Sequence, residues 1–376
     1  MKNFKNLIEE VITPRHCHRC GGCVAFCTAI QFNALELDAD GKPRFKDEQK
    51  CTECGLCYEI CPESDDIREE TKRRVGWIAP MGRVVDIAMA RARDPVIIRN
   101  ARDGGVVTAL LLHLFDHGRI DGALVTRRVG PFTCQPWLAL TRREIIEAGG
   151  FHFDASAGVP LVGLRYAAYP PYLELMAPLA KKGLNRIAFV GRPCQIETMR
   201  RMETLGVVPS DAIKYYVGLF CMGNFRFGEK EQAAIEKIGG FKWEDVRKVN
   251  FKESLQIHLK NSEIKTIDFA TLDYIKRYAC RFCGDYAAEF ADIACGGIGA
   301  TEGWTHVIIR TPVGKTIFTD TAEERLELFA DHRDREFLPR MLGKVRDMSS
   351  AKKSRARQYR ESVGNQLGNE KQEARG

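Results

Sequence analysis

From Trp77 onward, short apolar runs alternate with longer stripes at helical spacing, which predicts an α/β core with an at least partly parallel sheet. DPVIIRN reads as an extended run, VVTALLLHLFDHG as a helix ending at Gly118, and GALVTRR as a buried strand. LELMAPLAKKGLNRIAFVG is helix, glycine stop, then strand, and AIKYYVGLFC is another apolar strand. GWTHVIIRTPVGKTIFTD predicts a hairpin turning at Val313–Gly314. After Thr321 the chain turns helical and charged, and from Ser349 it is expected to fray. Ahead of this core, ALELDADGKPRF alternates around Asp-Ala-Asp-Gly, a hairpin signal with Gly41 free to take positive φ. The charged stretch from Asp65 to Arg74 predicts a linker. The expected domains are therefore 1–70, 75–320 and a charged helical tail, 321–376.

Cysteine spacing supplies the first chemistry. Eight of fourteen cysteines form two runs of C-x2-C-x2-C-x3-C: Cys17, Cys20, Cys23 and Cys27, then Cys51, Cys54, Cys57 and Cys61. This is the ligand pattern of a bacterial two-cluster ferredoxin, in which three close thiolates cap one face of a cubane and the fourth serves the other cluster. The expected ligand sets are crossed: Cys17, Cys20, Cys23 and Cys61 for one [4Fe–4S] cluster, and Cys51, Cys54, Cys57 and Cys27 for the other. Structural zinc is the competing reading, but triplets with a distal fourth over-supply a four-ligand ion built from two pairs. Thr28 stands where the second run has Pro62.

At 376 residues, with 28% charged and 44% hydrophobic residues, the chain suits a small cluster module plus one sizeable core. No run of about 18 apolar residues exists, so no membrane span is expected. The start carries acidic residues and lacks an apolar stretch, unlike a signal peptide. Clustered cysteines without a secretion signal point to reduced, metal-binding thiols and a cytoplasmic location. The formal charge of +7 is modest and concentrates at Lys352, Lys353, Arg355, Arg357 and Arg360. That run reads as a solvated tail, or as a dock for an acidic partner or an anionic membrane surface. With only Tyr359 as an aromatic there, nucleic-acid binding is not expected.

Four more cysteines lie where strands of the core end: Cys194 after IAFV, Cys221 closing YYVGLF, and the pair Cys280 and Cys283. Together they are enough for a third [4Fe–4S] cluster, although a lone strand cysteine is more often inert. Cys295 is an alternative ligand or a core residue, and Cys134 is left over. Asp103-Gly104-Gly105-Val106-Val107-Thr108 puts two glycines before a helix, a place for an anion or a flavin edge, or else a plain turn. Gly296-Gly297-Ile298-Gly299 is a second glycine turn. Neither carries a nicotinamide or nucleotide fingerprint.

In order, DGGVVTALL, GALV, TRREIIEAGG, GRPCQ, LFCMGNF, CRFCGDYAAEFADIACGGIG and GWTHVIIRT resemble the core of the family of coenzyme F420 hydrogenase/dehydrogenase beta subunits, from about Trp77 to Asp320. The form with an N-terminal two-cluster ferredoxin is similar to the electron-input subunit of F420H2 dehydrogenases and to formate dehydrogenase beta subunits. The resemblance implies a core holding FAD and one [4Fe–4S] cluster on Cys194, Cys221, Cys280 and Cys283. It implies flavin contacts at Asp103, Gly104, Gly105, Val106 and Thr108, with Gly296, Gly297 and Gly299 also near the flavin. Where family members often carry a small residue, a cation and Tyr, this chain reads Phe151-His152-Phe153, so His152 is the candidate deazaflavin contact. Cys295 stands where a serine-like residue is usual.

The function so implied is hydride exchange between coenzyme F420 and FAD, with single electrons leaving through three clusters. The ligand is anionic, so Lys276, Arg277 and Arg281 beside the C-x2-C are candidate cations, unless they are merely solvated. No side-chain acid or base is required, because the two rings need orientation more than protonation. Expected partners are other subunits of a hydrogenase, a formate dehydrogenase, or a quinone- or heterodisulfide-type reductase, with peripheral membrane docking open. The rivals are a relative using a nicotinamide or another conjugated ring, a flavin-free electron-transfer adaptor, and a zinc-bound structural module.

Overall fold

The computed structural model describes the chain except residues 39–40, 129–133, 150–182, 226–228, 252–253, 331–333, 335 and 374–376. In the N-terminal module, α1 (Phe4–Leu7) and the wide helical turn after it (Ile8–Ile12) lay Phe4, Leu7 and Val11 against the cysteine loops. α2 (Gly22–Ala29) and α3 (Leu56–Glu59) hold equivalent places in the two cysteine runs. Each follows a left-handed glycine, Gly21 at φ 80° and Gly55 at φ 76°, a region that costs a side-chain-bearing residue. Arg19 and Glu53 are left-handed too, so the backbone repeats along with the spacing. Thr28 keeps its N–H and lets α2 run to Ala29, whereas Pro62 cannot continue α3. Between them β1 (Leu35–Leu37) and β2 (Pro43–Phe45) form the expected hairpin, with Leu35 opposite Phe45.

The expected linker is a helix, α4 (Arg68–Val75). Its charges hide a four-residue spacing: Thr71 and Val75 are buried on one side, and Gly76 closes the end in the left-handed region.

The core continues with β3 (Asp86–Ala92), α5 (Pro95–Asn100), α6 (Val106–Asp116), β4 (Gly122–Arg128), β5 (Cys134–Ala139) and α7 (Arg142–Glu147). Then come β6 (Ile187–Gly191), α8 (Pro193–Leu205), β7 (Ile213–Leu219) and α9 (Glu229–Gly239). β8 (Val246–Phe251), β9 (Leu255–Leu259) and β10 (Ile264–Ile267) precede β11 (Ile293–Gly296) and β12 (Thr305–Ile309). α10 (Pro312–Arg325), β13 (Leu326–Leu328) and α11 (Phe337–Glu373) complete it.

Eight strands form one sheet in the order β13-β3-β12-β11-β7-β6-β4-β5. β11, β7, β6 and β4 run parallel, and the strands outside them are antiparallel to their neighbours. One sheet face is covered by α5, α6, α7 and α10 through Ile97, Leu110, Ile145 and Ile317. The other is covered by Ile196, Met199 and Met202 of α8 and Val345 of α11, in one apolar cluster with Phe26 and Ile60 of the module. Leu110, with no exposed surface, contributes about 1.5–3 kcal/mol by its burial.

Four further expectations change. DPVIIRN is α5 and not extended, because the Asp94 carboxylate accepts the Val96 N–H at 2.7 Å and Pro95 opens the first turn. The hairpin placed at Val313–Gly314 is instead the start of α10: Thr311 accepts the Gly314 N–H at 3.0 Å, and Pro312 follows the cap. The 320/321 boundary falls inside α10, and β13 beyond it pairs with β3 in the core sheet. The tail does not fray at Ser349, since α11 runs unbroken to Glu373 with Ser349, Lys352 and Ala356 buried. The antiparallel sheet β10-β9-β8, with its own apolar core around Trp243, Val249 and Ile257, is an addition to the expected elements, although LQIHL and IKTI alternate around a polar turn.

Candidate redox centre

The crossed thiol sets come together in the module. The thiol of Cys23 is pushed well above its ordinary range by burial and then by its neighbours Cys20, Cys17, Cys57 and Cys61. Burial and then Cys20 likewise raise Cys61. In the second set, burial followed by Cys54, Cys51 and Cys27 takes Cys57 up to about 12. Cys17, Cys20, Cys23 and Cys61 line one cavity, and Cys27, Cys51 and Cys54 line another, with Cys57 on the wall between them. Backbone N–H groups point at the sulfurs: Arg19 to Cys17 at 3.4 Å and Ala34 to Cys27 at 3.3 Å. Buried thiols supplied with N–H donors suit thiolate-bound metal, because binding removes the proton that burial otherwise retains.

Two of the core cysteines follow the C-terminal ends of the parallel strands β6 and β7. In the register of β6 against β7, Gly191 faces Gly218, so Cys194 and Cys221 each lie three residues beyond paired positions. Cys221 donates its N–H to the Tyr286 carbonyl at 2.8 Å, and the Asn224 N–H points to the Cys280 sulfur at 3.2 Å. The Cys283 thiol is raised to about 12 by burial, against Lys352, with Asp285, Cys280 and Cys221 adding to the rise. Cys194 starts α8 with Pro193 at the first turn, and its carbonyl accepts the Thr198 hydroxyl at 2.9 Å. Cys295 lies within β11, and burial alone raises its thiol to about 12.

The two glycine turns meet at the same end of the sheet. A Cβ on Gly297 would lie 2.9 Å from an Asp103 carboxylate oxygen. The Gly104 N–H donates to Thr305 Oγ1 at 2.9 Å, tying the first turn to β12. Both glycines of that turn are also required by packing: a Cβ on Gly104 would stand 2.5 Å from the Ala90 carbonyl oxygen, and one on Gly105, at φ 72°, 2.7 Å from Ile97. A Cβ on Gly296 would strike the Phe220 ring at 2.1 Å, and one on Gly299 would reach Met341 of α11 at 3.0 Å. Gly105 caps α6 without a side-chain hydrogen bond, which leaves first-turn N–H groups for an anion. Val106 and Thr108 are buried behind this turn, and a Cβ on Gly149 would come within 3.0 Å of the Thr108 hydroxyl. His152 lies outside the described residues.

The candidate cations lie around the C-x2-C loop. Lys276 lies across Gly223, and burial lowers its affinity for the proton while Asp273, 3.8 Å away, opposes this. The Arg277 guanidinium donates to the His18 carbonyl at 3.3 Å, on the ferredoxin side. Arg281 pairs with Asp273 at 3.1 Å. All three hold the cysteine loop and its seam with the module.

That seam centres on α8. Arg201, fully buried, donates to the carbonyls of Cys61 at 2.7 Å and Glu59 at 3.3 Å, to Ser64 Oγ at 3.0 Å, and to Glu197 at 3.0 Å. Thr198 Oγ1 lies 3.4 Å from Cys20 Sγ. Nothing local in the sequence marks Arg201 or Thr198, because their partners across the seam are far away in the chain, 137 positions for Ser64 and 178 for Cys20. At the far end of α6, His113 Nδ1 and His117 Nε2 meet the Glu324 carboxylate at 3.2 and 3.1 Å. Arg325 approaches the same carboxylate at 3.8 Å, so the group is a hydrogen-bonded clasp between α6 and α10.

Three family models match stretches of the chain. The model for the C terminus of the coenzyme F420 hydrogenase/dehydrogenase beta subunit matches residues 184–332, and that for its N-terminal part matches 87–162. A 4Fe-4S dicluster domain matches residues 9–71. The coenzyme F420 hydrogenase subunit beta of Methanothermobacter thermautotrophicus is 30% identical over 283 residues, 73% of this chain and 94% of its own.

The chain belongs to the family of coenzyme F420 hydrogenase/dehydrogenase beta subunits.

As a member it is an iron–sulfur, F420-related oxidoreductase subunit. The F420H2 dehydrogenase of Methanosarcina mazei has a subunit that is 26% identical over 332 residues, 86% of this chain and 87% of its own. The solved F420-reducing [NiFe] hydrogenase complex from Methanosarcina barkeri contains a chain that is 26% identical. It superposes with a TM-score of 0.63 over 75% of this chain and 93% of its own length. Among the described residues of this beta-subunit homologue, no helix is long and apolar enough to cross a membrane.

Proposed function

We propose that this chain exchanges a hydride with coenzyme F420 through FAD and passes single electrons, by way of three [4Fe–4S] clusters, to a partner redox subunit. The observation that carries this reading is the meeting of the Asp103–Gly105 and Gly296–Gly299 turns at the end of the sheet that also releases Cys194 and Cys221. The bound groups supply the conversion of an electron pair into single electrons; the chain supplies their seats. Asp103, Gly104, Gly105, Val106 and Thr108, with the open first turn of α6, would hold FAD and its phosphates. Gly296, Gly297 and Gly299 would close the other side, with Met341 packed behind Gly299. Cys194, Cys221, Cys280 and Cys283 would bind the core cluster, and the crossed sets in the module would bind the other two. α8 spans the gap, with Cys194 at one end and Thr198 against Cys20 one turn later.

The test is anaerobic purification followed by titration with reduced F420 and with NADH. The expected result is about one flavin per chain, bleached by reduced F420 and then a fall in the broad brown absorbance. Bleaching by NADH alone would replace F420 as the hydride partner. Protein with clusters and no flavin would be an electron-transfer adaptor.

A further inference from the structure

The basic run at the end of the sequence does not behave as one solvated surface. Lys352, near the middle of α11, is only 4% exposed and reaches inward. Its ammonium donates to two backbone carbonyls, those of Cys221 at 2.8 Å and Asp285 at 2.6 Å. Among the described residues, no carboxylate oxygen lies within 4.0 Å of it, whereas the next lysine of α11, Lys353, pairs with Glu289. A lysine buried this completely needs an opposing charge, since two neutral carbonyls do not offset the loss of water. The groups that act on it electrostatically include Cys283, Cys221, Cys280 and Asp285, with Lys276 a second, partly buried cation beside Cys280.

We propose that Lys352 is the fixed counter-charge of the core cluster, a positioning residue that raises the cluster's reduction potential and seats α11 against it. This rests on the reading of Cys194, Cys221, Cys280 and Cys283 as a cluster site. A cubane held by four thiolates is a net anion and becomes one unit more negative when it takes up an electron, with no bond made or broken. A buried cation beside it therefore favours the reduced form, and the low-dielectric surroundings strengthen the effect. The same helix touches each neighbouring station. Met341 packs on the Gly299 turn, Lys353 pairs with Glu289, and Arg360 meets Glu63 beside the Cys61 run at 2.9 Å. α11 is thus a strap from the Gly299 turn past the core cysteines to Glu63 beside Cys61, pinned at its middle by the charge of the core cluster.

The experiment compares full-length wild type with Lys352→Met, which keeps the bulk and removes the charge, and Lys352→Arg, which keeps the charge. Iron and acid-labile sulfide per chain are measured together with reduction midpoints followed by electron paramagnetic resonance. In Lys352→Met one of the three midpoints is expected to move to more negative potential while the other two stay; in Lys352→Arg all three stay near wild type. Loss of a cluster in the Met variant but not in the Arg variant also supports the charge. Unmoved midpoints in a fully loaded Met variant, or cluster loss in both variants, would overturn the inference and leave the cluster reading standing. Wild type with about eight irons in place of about twelve would remove the core cluster itself.

Discussion

Thr198 Oγ1 touches Cys20 Sγ at 3.4 Å across the seam between the core and the ferredoxin module. The same hydroxyl donates to the carbonyl of Cys194 at 2.9 Å, so one small side chain joins the two proposed cluster sites. Thr198→Val keeps the shape and removes the oxygen. It is expected to cost about 1 kcal/mol of stability, one hydrogen bond's worth, and to slow reduction of the module after a rapid reduction of the core. Stopped-flow absorbance after mixing with reduced F420 measures this, and an unchanged rate would leave Thr198 a packing residue.

Arg201 holds the module on the core. Replacing it with Met removes the closest partner of buried Glu197, which keeps Arg68 at 3.7 Å, and takes a charged donor from the carbonyls of Glu59 and Cys61, which keep Ser64. A loss of about 1.5–3 kcal/mol is expected, the worth of hydrogen bonds to a charged group whose partners keep other contacts. Urea unfolding should show it, together with protease cleavage between the module and the core.

Gly104 is limited by backbone on both sides, with Ala90 O at 2.5 Å and Thr305 N at 2.9 Å from any added Cβ. Gly104→Ala is therefore expected to lower stability by about 1–3 kcal/mol through overpacking. Flavin content should fall with it, because the turn that would seat the flavin must shift. Gly183→Ala, where a Cβ meets nothing within 4 Å although φ is 67°, is a control away from the site. Thermal melting and extracted flavin per chain separate the two.

His306 gives the stability a pH slope. It is fully buried, its Nδ1 lies 3.3 Å from the Ile298 carbonyl, and its Nε2 has no partner among the described residues. Burial lowers its pKa from 6.5 to about 4, so between these values the unfolded chain takes up a proton that the folded chain refuses. Its contribution is complete above pH 6.5 and is lost as pH falls toward 4, on the order of 3 kcal/mol in all. Denaturation midpoints measured across that window should fall with pH in wild type and flatten in His306→Gln.

Chemistry written at short range was legible in the chain itself. The paired cysteine runs, the β1–β2 hairpin, α6 and the parallel strands β4, β6 and β7 all follow from spacing and periodicity within one segment. Two departures are also local: Asp94-Pro95 and Thr311-Pro312 are helix caps, and a cap with a proline behind it outweighs the strand-like apolar residues that follow.

What lay beyond the one-dimensional pattern was decided by long-range burial. Polarity alone places Lys352 in water and Asp65–Arg74 in a linker, since charge normally seeks solvent. Folding reverses this where a distant carbonyl, an opposite charge or an apolar face offers better partners, as Cys221 and Asp285 do for Lys352. Residue types and their spacing determined which thiols were available for metal. Only the packing of α8 and α11 between the sheet and the module decided which of them stand beside a cation, a hydroxyl or each other, because those contacts join positions far apart in the chain.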